Sequence, residues 1–323
     1  MTSLTKGIIR VGTLGVVIGL ILAFGDLDSI WQGARRAGIE AILAALTLSV
    51  LIVAISAWKW HLVVPEVQIS TLCKIVLIGQ FYSFSLFGQA SGEAAKIYVL
   101  GRTLGKLRGS MVSVLADRLT SIIGLLVVSI IGFSLSPTDD PYNFKEISVI
   151  VLVAFVVLLF ALRYELVLLL ATRLESRIEH SAPRLGKITR YFRQAVEQWH
   201  VSMRNMRRVL AAVLFGALIH VCNAALVMIL AQGVGIGVSF FDWCWIVGIM
   251  GIAGLVPITM GQLTSYATMV ALLQLFNVSV ADALAVSMMI LAVHFFSAAT
   301  GALLEWIRWQ KVLVPRPPDD VND

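Results

Sequence analysis

The chain has 323 residues, 59% of them hydrophobic and 14% charged, with mean hydropathy +0.89 and a formal net charge of +6. No soluble domain of this length can bury so much apolar surface, so the composition excludes water-soluble and nucleic-acid-binding classes and leaves a polytopic helical membrane protein. Cys73, Cys222 and Cys244 lie in or beside apolar segments without metal-ligand spacing, and read as small buried hydrophobes.

Lys6 and Arg10 precede an apolar run from Val11 to Phe24, read as a retained first span because no small-x-small cleavage site follows it. A second span runs from Ile39 to Val64 and ends in Trp58, Lys59, Trp60 and His61. That cluster is expected at the membrane interface, with a snorkelling lysine between amphipathic rings.

Next comes an interrupted element. An apolar arm from Leu72 to Phe87 breaks at Gly88–Gly92, and a short arm continues from Glu93 to Leu100. Irregular backbone at membrane depth survives only where protein or a wet cavity satisfies its polar groups, and broken helices are a common way to build a transporter's site. After a basic loop carrying Arg102, Lys106 and Arg108, a long helix is expected from Ser110 to Leu135, closed by Ser-Pro-Thr-Asp-Asp-Pro. Another span covers Ile147 to Leu162.

Residues 163–208 change character, with ten Lys or Arg against four Glu. Leu185, Ile188, Phe192, Val196, Trp199 and Met203 recur at helical spacing among Lys187, Arg190 and Arg193. The pattern describes a basic amphipathic helix, over 184–208, lying on an anionic membrane surface. The second half repeats the plan: a span from Val209 to Ala231, an arm from Phe240 to Val256, a break at Pro257–Gln262, and a second arm from Leu263 to Phe276. A last helix, capped by Ser279 and Asp282, ends at Trp309. The tail, 311–323, reads as disordered.

Gly88-Gln-Ala-Ser-Gly-Glu-Ala-Ala95 and Gly261-Gln-Leu-Thr-Ser-Tyr-Ala-Thr268 form a weak repeat. The expected fold is all-α, with six full spans and two re-entrant hairpins entering from opposite faces. It makes one integral domain, 1–310, with halves 1–162 and 209–310. With both termini cytoplasmic, every large basic cluster falls inside except Arg35-Arg36. Trp243, Trp245, Trp306 and Trp309 are expected in interfacial belts.

Charges inside a membrane helix cost roughly 2.5–3.5 kcal/mol each, so they face the bundle interior. Asp117 and Arg118 lie about two turns inside their helix, and Glu93 and Lys96 share one face of the short arm. Two readings stand: mutually paired structural charges, or Lys96 and Arg118 attracting a lipid phosphate while Asp117 and Glu93 hold them. The candidate substrate-binding residues are Gly88, Gln89, Gly92, Glu93, Lys96, Asp117, Arg118, Gly261, Gln262, Thr264 and His294. His220 and His294 also read as core residues. No nucleotide-binding loop, metal motif or catalytic constellation appears, so neither enzymatic activity nor a cofactor is expected.

Phe87-Gly88-Gln-Ala-Ser-Gly92-Glu93, Lys96 and the Asp117-Arg118 pair resemble the lysylphosphatidylglycerol synthase membrane region, a flippase-like family. Gly92, Glu93, Lys96, Asp117 and Arg118 match its pattern. In the second half Pro257 and Gly261 match, while Gln262, Thr264 and Ala267 stand where Gly, Gly and Glu are usual. The resemblance, over about residues 7–307, implies movement of an anionic or aminoacylated phospholipid, or a polyprenyl-linked glycan, in a bacterial inner membrane. The alternative is a non-transporting membrane partner that presents lipid to a glycosyltransferase or lipid-modifying enzyme. A homo-oligomer fits either.

Overall fold

The computed structural model describes residues 27–85, 88–138, 143–163, 205–254 and 262–313. Its regular elements are all helical: α1 (Leu27–Val63), α2 (Ile69–Ser85), α3 (Gln89–Leu104), α4 (Leu107–Leu135), α5 (Phe144–Arg163), α6 (Met206–Val234), α7 (Phe240–Ala253), α8 (Gln262–Leu273), a 3₁₀ turn (Gln274–Phe276) and α9 (Val280–Leu313). The expected span at Val11–Phe24, most of the basic segment, the break at Pro257–Gly261 and the tail beyond Leu313 lie outside the described residues.

Among the described residues, four helices are long and apolar enough to cross a membrane: Arg35–Val63, Leu107–Leu135, Met206–Val234 and Val280–Trp309. At 1.5 Å rise per residue, a 29-residue helix reaches about 43 Å. By the same measure α2, with 17 residues, reaches about 25 Å, and α7, with 14, about 21 Å. Each falls short of a hydrocarbon core roughly 30 Å thick.

Local chemistry sets the ends. Asn205 caps α6 by accepting from the Arg207 and Arg208 amides, so these two arginines begin α6 rather than close the basic segment. Gly105 and Gly235 stop α3 and α6 in the left-handed conformation. Ser279 accepts from the Asp282 amide at 3.1 Å and donates to Asp282 Oδ2 at 2.7 Å. The second oxygen of Asp282 takes Arg36, 2.7 Å away, so one member of the Arg35-Arg36 pair is neutralised across the bundle. α9 continues past Trp309 to Leu313, making Lys311 helical rather than part of the tail.

Packing follows an internal exchange. α2 and α3 form an antiparallel hairpin, Gly79 meeting Gly92 and Lys96 while Ser91 bonds the Tyr82 carbonyl. α7 and α8 pair likewise, Ser265 Oγ donating to the Met250 carbonyl. The first arm of each hairpin then packs on the helix following the other, α2 on α9 and α7 on α4. α1 and α6, which precede the hairpins, pack on each other; α4 lies on α6 as α9 lies on α1. Swapping α1–α4 for α6–α9 reproduces this set of neighbours.

Each seam is clasped by one buried carboxylate. Asp242, on α7, accepts from Ser136 at the end of α4, from Ser239 and from the Trp245 indole. Glu305, on α9, accepts from Tyr82 of α2, from Arg308 through two nitrogens and from Trp309. With these donors in place neither acid is stranded. The Trp245 ring stacks on Phe133 at 4.8 Å between centroids. Trp243 and Trp245 are therefore core residues, not interfacial ones, whereas Trp306 and Trp309 are exposed as a belt requires.

Candidate functional site

A cavity of about 330 Å³ opens where α1, α2, α3, α4, α6, α7 and α9 converge. Each helix offers it one face at helical spacing: Ile52, Ser56 and Lys59 from α1; Val76, Gly79, Gln80 and Ser83 from α2; Gln89, Glu93 and Lys96 from α3. α4 adds Asp117, Arg118, Ser121, Ile122 and Leu125. Across from them lie Ile219, His220 and Asn223 of α6, Gly251 and Ile252 of α7, and His294 of α9. All five ionisable acids and bases other than histidine come from α1–α4.

The turn into α3 makes this wall possible. Gly88 has φ 68° and ψ −148°, a combination open only to glycine. The expected turn residue is therefore confirmed at Gly88 but not at Gly92, which is helical and buried. Gly92 serves close approach instead: a Cβ there would collide with Ser83 Oγ and lie 2.6 Å from the Gly79 carbonyl oxygen. A Cβ on Gly79 would lie 2.9 Å from the stem of Lys96. Two missing side chains thus let Lys96 run across α2 into the cavity.

Lys59 is the residue that sequence reasoning misplaced. Its side chain is 1% exposed, and its ammonium lies 2.8 Å from Asp117 Oδ1. That approach is a charge contact rather than a directed hydrogen bond; the ammonium donates to the Asp117 carbonyl oxygen at 2.8 Å and to Ser121 Oγ. Of the cluster expected at the interface, Trp60 is likewise buried, at 1% exposure, while the neighbouring Trp58, about 100° round the helix from Lys59, is 53% exposed. The signal was present: Ile52, Ser56 and Lys59 repeat at four and three residues, on a face that excludes Trp58.

With Asp117 taken by Lys59, Arg118 turns elsewhere. Its Nη1 lies 3.8 Å from Glu93 Oε1, and Lys96 Nζ lies 3.2 Å from the same oxygen. Lys96 also sits 5.9 Å from the centre of the Trp60 ring. Three cations thus face two carboxylates, a surplus of one positive charge with the histidines neutral. Glu93 Oε2, Gln80 Oε1 and Gln89 Oε1 are buried and lack a protein hydrogen-bond partner.

The structure brings together Gln89, Glu93, Lys96, Asp117, Arg118 and His294, with Gly88 and Gly92 shaping their support. His294 Nδ1 lies 3.0 Å from the Tyr266 hydroxyl, which ties α9 to α8. Thr264 lies on α8 and is not on the cavity wall; its own hydroxyl-bearing neighbour Thr268 bonds the Thr264 carbonyl. Gly261 and the side chain of Gln262 lie outside the described residues. Lys59, Gln80, Ser83, Ser121 and Asn223 were not among the sequence candidates. Among the described residues no group of three His, Cys, Asp or Glu side chains could hold a metal ion.

The family model described as the lysylphosphatidylglycerol synthase TM region covers residues 7–301. No curated protein and no solved structure matches the chain.

Proposed function

This chain belongs to the lysylphosphatidylglycerol synthase TM region family, and from that premise we propose that it carries a phosphate-bearing lipid headgroup between the two leaflets of the membrane. The supporting observation is the cavity among candidate membrane spans, with Lys96 and Arg118 sharing one carboxylate and leaving one positive charge uncompensated. Arginine offers a planar fork that suits phosphate, and lysine a point charge beside it. Lys59 and Asp117 hold the wall rather than the guest, since each is the other's partner. The volume admits a headgroup and leaves acyl chains to lie between helices in the lipid. The chemistry proposed is transport without covalent change.

The proposed membrane arrangement has six full spans, two hairpins that enter from opposite faces and return, and both termini in the cytoplasm of a bacterial cell. The short arms and the exchange of neighbours support it, because a hairpin too short to cross is one that re-enters. Single-cysteine labelling tests it. Residues 175–205 should react only from the cytoplasmic side and Asp139→Cys only from outside; the reverse pattern overturns the arrangement.

Purified protein in liposomes tests the transport. A head-labelled phosphatidylglycerol in the inner leaflet should become accessible to an external quencher faster than in empty liposomes, and Arg118→Gln should return the rate to that background. If the native protein binds the lipid yet leaves the rate at background, the chain is instead a partner that presents lipid to a glycosyltransferase or lipid-modifying enzyme.

A further inference from the structure

Beyond its cations, the cavity has a second chemical character. Gln80, Gln89 and Glu93 line one wall of the cavity, and each carries one buried acceptor oxygen (Oε1, Oε1 and Oε2) without a protein hydrogen-bond partner. A buried polar group left unmade costs about 1–3 kcal/mol, so native proteins rarely keep three in one place unless something else completes them. We infer that this cavity takes a phosphorylated headgroup rich in hydroxyls, a polyol or sugar phosphodiester, with phosphate on Lys96 and Arg118 and hydroxyls on Gln80, Gln89 and Glu93. This rests on the reading of the cavity as a headgroup site.

Charge separates hydroxyls from amines as the donors. Lys59 and Asp117 cancel, and Lys96 with Arg118 against Glu93 leaves one positive charge. A hydroxyl-bearing phosphodiester brings one negative charge and neutralises the cavity. A lysyl-bearing phosphodiester brings two ammonium groups with its phosphate and adds a net positive charge to a site that already has one. Like charges in a poorly hydrated site repel strongly. Hydroxyls also fit the amides better. A glutamine side chain presents both an acceptor and donors, and a hydroxyl satisfies either end, whereas an ammonium can only donate. Size agrees: at about 30 Å³ per water the cavity holds roughly ten waters' worth of guest, within the range of small-molecule sites.

The test is competition binding to the detergent-purified full chain with acyl-matched phosphatidylinositol, phosphatidic acid and lysylphosphatidylglycerol. Phosphatidylinositol is expected to bind at least tenfold more tightly than phosphatidic acid, and lysylphosphatidylglycerol more weakly than either. In Gln80→Leu/Gln89→Leu the gap between phosphatidylinositol and phosphatidic acid should close. The comparison on the native protein needs no variant, so it stands even if the double variant does not fold. Equal binding of phosphatidylinositol and phosphatidic acid overturns hydroxyl recognition and leaves the phosphate site intact. Tighter binding of lysylphosphatidylglycerol overturns the charge argument. If none of the three lipids binds, the headgroup reading of the cavity falls, and this inference with it.

Discussion

α1–α4 and α6–α9 share one packing plan and divide the chemistry unequally. In the first unit Lys59, Glu93, Lys96, Asp117 and Arg118 all face the cavity. The second unit faces it with Ile219, His220, Asn223, Gly251, Ile252 and His294, none of them a strong acid or base. Ala267, where the family pattern carries an acid, is exposed on α8. A repeated frame therefore does not require a repeated site. Helix contacts depend on small residues and shape, which both units keep, whereas a charge at membrane depth is retained only where it has a partner or a task.

The sharpest way to break that comparison is to strand a charge in the first unit. Lys59→Leu or Asp117→Leu should each lower stability by about 3–5 kcal/mol, because the remaining partner is buried and uncompensated. Thermal unfolding of the detergent-purified protein reads this, and Lys59→Leu/Asp117→Leu together should recover most of the loss. A double variant as unstable as the singles would show that the pair is not the unit of stability.

Next in size is Gly92→Val. The collision of a new side chain with Ser83 and the Gly79 carbonyl should cost about 1–3 kcal/mol, as overpacking does. The variant should therefore melt earlier as well as lose lipid binding. Gly88→Ala, which forces a left-handed turn on a side chain, should cost roughly 1–2 kcal/mol.

Arg118→Lys sharpens the comparison from the functional side. It should weaken phospholipid binding about tenfold while leaving the melting temperature within a degree or two, since Arg118 is partly exposed and its nearest acid is 3.8 Å away. The second unit should respond least. Tyr266→Phe removes one hydrogen bond to His294 and should cost about 1 kcal/mol with little change in lipid affinity. An equal loss of affinity from this variant would show that the two units share the binding work.

Apolar runs, the break at Gly88 and the Ser279 cap were legible in the sequence because each is local: α2 through α4 and α6 through α9 begin and end within a few residues of where the pattern places them. Glu93 and Lys96 were also legible, being three apart on one helix and 3.2 Å apart in the structure. The separate partners of Asp117 and Arg118 were not legible, because adjacent residues diverge by about 100° on a helix and meet different neighbours. The partner of Asp117 is Lys59, from another helix, and no local rule reaches that far. Trp245 misled for a similar reason. Its ring has the composition of a belt residue, and only the tertiary partners Asp242 and Phe133 make it a core one.

The turn at Gly88 has one more consequence, for α3 itself. No side chain caps the helix that starts there, and Gln89, its first residue, stands on the cavity wall. The opening amides of a helix carry roughly half a positive charge between them. A headgroup hydroxyl oxygen seated beside Gln89 would meet that potential and accept from those amides, so that the guest finishes the helix. Occupancy would then appear in the backbone: amide hydrogen exchange at residues 89 and 90 should slow when lipid is added, while Ser91, whose amide already bonds the Gly88 carbonyl, and the capped start of α6 at Asn205 should exchange at their former rates.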